Sequence, residues 1–172
     1  MTQVSRARVL LLLALVAATV GCDRGTKILA AERLAGRGMH SYLGDTVRLV
    51  YAENAGAFLS LGASWPEWAR RGALGFVVAA SLVGIAYMAW RHRGRGAMVA
   101  GLCLILAGGG SNLFDRIAWG HVVDFVMLRA GPLQTGIFNV ADMAIMLGVA
   151  LVLLGGRQPR GYGDEPMPRT VP

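Results

Sequence analysis

Residues 108–142 read GGGSNLFDRIAWGHVVDFVMLRAGPLQTGIFNVAD. The stretch opens where one apolar run ends and closes where the next begins. It holds Asn112, Asp115, Arg116, Asp124, Asn139 and Asp142, whereas the apolar runs on either side carry almost no charge. Ionisable groups are expensive in lipid, so a cluster of them at the mouths of membrane helices marks a functional site by default. The rest of the chain reads as a frame that delivers these groups to one membrane face.

Composition supports the frame. Of 172 residues, 55% are hydrophobic and 16% charged, against about 45–50% and about 25% in a soluble domain. The mean hydropathy is +0.50. These values describe a multispan membrane protein, and the length suits one compact unit. A net charge of +7 is compatible with nucleic acid or an anionic surface. No basic patch interleaved with aromatics is present, so the reading is arginine flanking membrane helices, with no nucleic-acid partner. Two cysteines are too few for a disulfide framework. Cys103 lies in an apolar run and reads as packing. Met1 to Cys22 has Arg6 and Arg8, an apolar core and a terminal Cys22, like a secretory or lipoprotein signal. Thr19 stands where such a signal usually has Leu, and no soluble domain follows. The segment is therefore read as an uncleaved first span.

Four spans are expected, at about 7–22, 72–90, 96–114 and 137–154, in one domain over 1–155. The fold class is an all-α membrane protein with a small extracytoplasmic cover of strand and helix. Thr46–Tyr51 alternates as a half-buried strand should. Asn54-Ala55-Gly56 suggests a turn. Ser64-Trp65-Pro66-Glu67 reads as a helix start, with Ser64 as its cap. Residues 115–135 read as irregular, and 156–172 as a disordered tail. Three arginines in the five residues 91–95 put that loop and both termini on the cytoplasmic side. Arg70 and Arg71 count against this assignment. With it, Asp23, Asn54, Asp115, Asp124 and Asp142 all reach the outer face.

Asn112, Asp115 and Arg116 follow i, i+3, i+4 spacing and share a helix face, as do Asp23 with Lys27 and Asn139 with Asp142. Gly108, Gly109 and Gly110 let helices approach closely. A carboxylate in apolar surroundings such as Asp124 has its charged form disfavoured, and two such groups brought together share a proton. Such a pair does aspartic-protease chemistry, one acid activating a water and the other protonating a carbonyl. The simpler readings are a boundary ion pair between Asp115 and Arg116, and solvated interfacial acids at 124 and 142. His121 has no partner at ligand spacing, so no metal is expected, and no nucleophile elbow surrounds a serine. From these residues alone the chain is a four-span protein with an outward acidic site. A non-enzymatic transporter or assembly factor is the rival.

The ordered motifs go further. Asp23-Arg-Gly-Thr-Lys27, Asn54-Ala-Gly56-Ala57, Gly109-Gly-Ser-Asn112-Leu-Phe-Asp115-Arg116, Val122-Val-Asp124-Phe125 and Phe138-Asn139-Val-Ala141-Asp142 together resemble the lipoprotein signal peptidase (signal peptidase II) family. The resemblance implies an aspartic endopeptidase of the bacterial inner membrane that needs no cofactor. It would cleave diacylglyceryl-modified prolipoproteins just before the lipid-bearing cysteine. It implies Asp124 and Asp142 as the catalytic pair. Asn54, Gly56, Asn112, Asp115, Arg116, Asn139 and Ala141 would support the pair or bind substrate. Asp23, Lys27 and Gly108 would be structural. Membrane lipid is an implied partner, and globomycin-type inhibitors are among the ligands to test. Ser111 departs from the family's usual glycine; its hydroxyl and Cβ offer a hydrogen bond or tighter helix contact.

Overall fold

Ser5 begins the first helix, its side chain accepting from the Arg8 N–H at 3.3 Å. No helix breaker interrupts the apolar run that follows. The helix continues through the polar Asp23–Lys27 segment as α1 (Arg6–Leu34), 29 residues long. The computed structural model describes residues 5–55, 66–92 and 95–155. After α1 come β1 (His40–Tyr42), β2 (Val47–Asn54), α2 (Glu67–Arg91), α3 (Gly96–Trp119), β3 (Val122–Ala130), β4 (Leu133–Gln134) and α4 (Val140–Gly155). The strands form one antiparallel sheet in the order β1-β2-β3-β4.

Among the described residues, α1 and α3 are the helices long and apolar enough to cross a membrane, and α4 is a shorter apolar helix. A bilayer core is about 30 Å thick, which about 20 helical residues span. Leu10 and Leu11 on α1 are 65% and 71% exposed. Such surfaces belong against lipid rather than water.

Helices α3 and α4 run antiparallel and touch at two glycine levels one heptad apart. A Cβ on Gly101 would lie 2.6 Å from the Gly148 carbonyl oxygen, and one on Gly108 would run into the Ala141 carbonyl. Small residues replace the missing hydrophobic drive between helices in lipid by letting backbones approach. Gly109 faces the Leu82 side chain, while Gly110 has open space around it.

Several expected boundaries shift. The first helix carries on beyond the expected span at 7–22, through the Asp23–Lys27 segment, to Leu34, and the third carries on beyond 114 to Trp119. The third ends at Gly120, whose φ of 79° provides the left-handed C-cap. The fourth starts at Val140 rather than 137. The second starts at Glu67 after Pro66, and the expected Ser64 cap lies outside the described residues. The strand expected over 46–51 extends to Asn54. The segment expected to be irregular over 115–135 instead supplies the end of α3, then β3 and β4. Strand β3 escaped the alternation test because Val122, Asp124 and Phe125 are all buried, on both faces of the strand. The sheet is therefore larger than the expected cover. Gly56, Ala57 and the tail over 156–172 also lie outside the described residues.

Candidate active site

Asp124 sits on β3, 3% exposed. Strand β2 pairs Leu49 with Val126 but then Ala52 with Asp124, one residue more on β2 than on β3. This bulge decides which side chains meet Asp124. In unbroken register its face of β2 would carry residues 49, 51 and 53; with the extra residue it carries Ala52 and Asn54. Asn54 pairs with Val122, diagonal to Asp124, and its Nδ2 donates to Asp124 Oδ2 at 3.0 Å.

Asp142 is placed by helix capping. Asn139 Oδ1 accepts from the Asp142 N–H at 3.0 Å, and Asp142 Oδ2 accepts from the Asn139 N–H at 3.1 Å. This reciprocal pair is a capping box with Asn and Asp in its two positions. Just before it, the Phe138 N–H donates to the Val126 carbonyl at 2.8 Å, and Phe138 accepts from the Val126 N–H at 2.9 Å. The backbone bridge pins the start of α4 to β3 two residues from Asp124. The Asn139 side chain closes the gap, its Nδ2 donating to Asp124 Oδ1 at 2.6 Å.

Beneath these groups lies an ion cluster. Lys27 has three N–H donors and uses all of them, on Asp23 Oδ2 at 2.7 Å, Asn112 Oδ1 at 2.8 Å and Asp115 Oδ2 at 2.7 Å. Asp23 Oδ2 also accepts from the Ser111 hydroxyl at 2.6 Å, while Asp23 Oδ1 accepts from the Ala141 N–H at 2.9 Å. A carboxylate on α1 thus caps an orphan amide in the first turn of α4, where the helix dipole favours negative charge. Asp115 is further paired with Arg24. Asn112 connects the cluster to Asp142, its Nδ2 donating to Asp142 Oδ1 at 2.9 Å.

Four aspartates therefore divide into two kinds. Asp23 and Asp115 are neutralised by Lys27 and Arg24. Asp124 and Asp142 take no salt bridge among the described residues and are held by neutral amides. Burial pushes the Asp124 carboxyl above its ordinary value. The Asn54 and Asn139 amides oppose this, the Asp142 charge adds to it, and Lys27 opposes it. A carboxyl whose proton is neither fixed by burial nor stripped by a cation is suited to proton transfer.

The structure brings together Asp23, Lys27, Asn54, Asn112, Asp115, Asp124, Asn139, Ala141 and Asp142, and Gly108 packs beneath Ala141. Gly56 lies outside the described residues. Arg116 takes a different place. Its Nη1 donates to the Asn112 carbonyl at 3.3 Å, and the residue lines a cleft of about 420 Å³ with Ala55, Gly75, Leu113 and Gly120. The expected Asp115–Arg116 ion pair is not what forms. Adjacent helical residues point about 100° apart, and Asp115 turns to Arg24 and Lys27 instead. Arg24 and the Phe138 backbone were not singled out from sequence. Neither carries a pattern that periodicity reveals. The Ser111 hydrogen bond was one of the two effects expected there.

Comparison with known proteins agrees with the motifs. The family described as Signal peptidase (SPase) II matches residues 15–156. A lipoprotein signal peptidase of Paraburkholderia phytofirmans is 37% identical over 135 residues, covering 77% of this chain and 76% of that protein. One from Burkholderia mallei is 37% identical over 134 residues, covering 76% and 78%. A bacterial membrane enzyme solved by the in meso method at 1.9 Å resolution shares the fold, with a TM-score of 0.74 and 21% identity over 86% of this chain and 92% of that one. The family match runs from α1 through α4 and so includes every strand and helix that builds the cluster: the chain belongs to the signal peptidase II family.

Proposed function

We propose that this membrane peptidase removes signal peptides from prolipoproteins with Asp124 and Asp142 as its catalytic pair. One observation carries the assignment of the pair. Of the four buried or half-buried aspartates in the cluster, these two meet neutral donors, and both bond to Asn139. One ionised aspartate takes a proton from water as the water oxygen attacks the scissile carbonyl carbon. The other, protonated, donates to the carbonyl oxygen. The diol then collapses: one of its hydroxyls returns a proton to the second aspartate. The first gives its proton to the departing nitrogen, and the pair regains its starting state. Asn54, Asn112 and Asn139 hold the carboxyls in place. The cleft lined by Arg116 and Ala55 is the candidate path for the substrate backbone.

The finer reading follows the same logic. The chain crosses the inner membrane four times with both termini in the cytoplasm, and the pair faces outward. In support, Asp23 and Lys27 lie in the C-terminal half of α1, Asn112 and Asp115 near the C-terminal end of α3, and Asp142 in the first turn of α4 just after Asn139. The substrate carries a diacylglyceryl cysteine, and cleavage falls just before it. A signal peptide is itself an apolar helix, so a site at the membrane boundary meets its end without extracting it from lipid. Family membership does not favour the transporter reading. α1 runs unbroken through Cys22 into the buried Asp23, which supports an uncleaved first span.

The test is cleavage of a diacylglyceryl-modified prolipoprotein by the reconstituted full chain. Wild type should release signal peptide, and Asp124→Asn and Asp142→Asn should not, with folding checked for each. Cleavage surviving either substitution would remove that residue from the pair.

A further inference from the structure

The face of α3 turned toward the apolar part of α1 carries a second feature. Between α1 and α3 runs a largely apolar groove of about 480 Å³, lined by Val16, Val20 and Arg24 from α1 and by Leu106, Ala107, Gly110, Phe114 and Ser111 from α3, the Ser111 hydroxyl being engaged by Asp23. That volume is within the roughly 300–1,000 Å³ of small-ligand sites. Among the described residues these are the helices long and apolar enough to cross a membrane, so the groove borders lipid.

Arg24 marks one end. Its guanidinium carbon lies 4.4 Å from the centre of the Trp119 ring and 5.6 Å from that of Phe114. The two rings meet edge to face at 5.5 Å. Trp119 and Phe114 are themselves about half exposed, as suits aromatic residues at headgroup depth. The guanidinium has five N–H donors and donates to Asp115 through Nη1. Its side chain is 29% exposed, so it still faces the surroundings. At a membrane boundary an arginine gains from phosphate, which it binds with planar, charge-assisted hydrogen bonds.

The geometry points to a phospholipid site on this face: one acyl chain lies in the groove, and the headgroup phosphate accepts from Arg24 between its two aromatic neighbours. A phosphate-bearing lipid fits better than a neutral one, because the part-exposed guanidinium, although paired with Asp115 through Nη1, has further N–H donors that a phosphate can take up and a diacylglycerol hydroxyl matches poorly. For the same reason it fits better than the apolar core of a signal peptide. The site is separate from the proposed catalytic pair and linked to it only indirectly, from Arg24 to Asp115, from Asp115 to Lys27, and from Lys27 through Asn112 to Asp142. This inference does not depend on which residues cleave substrate.

The test uses the full chain in detergent, native mass spectrometry, and two probes with identical acyl chains: a phosphatidylglycerol and the matching diacylglycerol. Wild type should retain one phosphatidylglycerol and bind diacylglycerol about tenfold more weakly, the loss expected for one charge-assisted contact. Arg24→Gln should erase that preference. Gly110→Leu fills the groove where a Cβ meets nothing within 4 Å, keeps the Arg24–Asp115 pair, and should abolish retention. The proposal fails if Gly110→Leu retains the lipid as wild type does, or if diacylglycerol binds as tightly as phosphatidylglycerol. It also fails if a signal-peptide substrate displaces the lipid one for one, which would assign the groove to substrate.

Discussion

Lys27 Nζ lies 2.8 Å from Asn112 Oδ1, and that bond decides which end of the Asn112 amide faces Asp142. With its oxygen held by the ammonium and also by Asn139 Nδ2 at 3.3 Å, the amide has to turn its NH₂ to the Asp142 carboxyl. A cation on α1 thus orients a donor to Asp142 without touching that residue.

Lys27→Met should therefore damage both stability and turnover. It leaves Asp23 and Asp115 buried without their shared cation, and breaking a buried pair costs about 3–5 kcal/mol. It also frees the Asn112 amide to flip, and misplacing a reacting group can cost on the order of 10²-fold in rate. Thermal unfolding in detergent and single-turnover cleavage would measure the two effects. An unchanged turnover in the folded variant would show that Asn112 holds its orientation without Lys27.

Asp124→Asn should lose activity while gaining stability toward neutral pH. Removing a general acid or base costs about 10²–10⁴-fold in rate. The stability sign follows from proton linkage. Burial raises the Asp124 carboxyl in the folded state, so the folded chain holds this proton more tightly than the unfolded chain does. Stability from this group is then full at low pH and falls as pH rises from the unfolded value through the raised folded one. An asparagine does not titrate, so the difference in Tm between variant and wild type should grow in the variant's favour from acid to neutral pH. A difference that shrinks over that range would contradict the raised carboxyl.

Asn54→Ala tests the opposite displacement. The Asn54 amide holds the Asp124 carboxyl down, because a hydrogen bond to the charged form favours that form. Its loss should shift the limb of the kcat/KM profile governed by Asp124 to higher pH, with about 1 kcal/mol of stability lost. A profile that keeps its shape and position, at lower amplitude, would make Asn54 a packing residue.

Asn54 also shows where the sequence stops being readable. The helices and the shared face of Asp23 with Lys27 were legible, because periodicity encodes them; Asn139 and Asp142, read as sharing a helix face, meet instead through the capping box that starts α4. The β-bulge was not. One extra residue between Leu49 and Ala52 turns Asn54 to Asp124, and nothing in VRLVYAEN announces it. Strand β3 hid for a related reason: buried on both faces, it lacks alternation. Arg24 was invisible because its partners Asp115 and Trp119 are about 90 residues away in sequence, on another helix.

Two glycines separate packing from catalysis. A Cβ on Gly108 would strike the Ala141 carbonyl and meet Ile145 at 3.0 Å, directly beneath Asp142. A Cβ on Gly101 would meet the Gly148 carbonyl at 2.6 Å, one heptad farther from the site. Backbone oxygens cannot swing aside, so each alanine substitution should overpack the α3–α4 seam and cost about 1–3 kcal/mol. That corresponds to about 2–4 °C in Tm per kcal/mol at this size. The two should differ in turnover. Gly108→Ala moves the capping box that carries Asp142 and should reduce kcat on the order of tenfold or more. Gly101→Ala should leave kcat of the folded fraction near that of wild type, because the clash is absorbed at Gly148, remote from Asn139. Equal losses of kcat in the two variants would mean that α3 and α4 move as one rigid pair, and that the first turn of α4 is not independently positioned by Gly108.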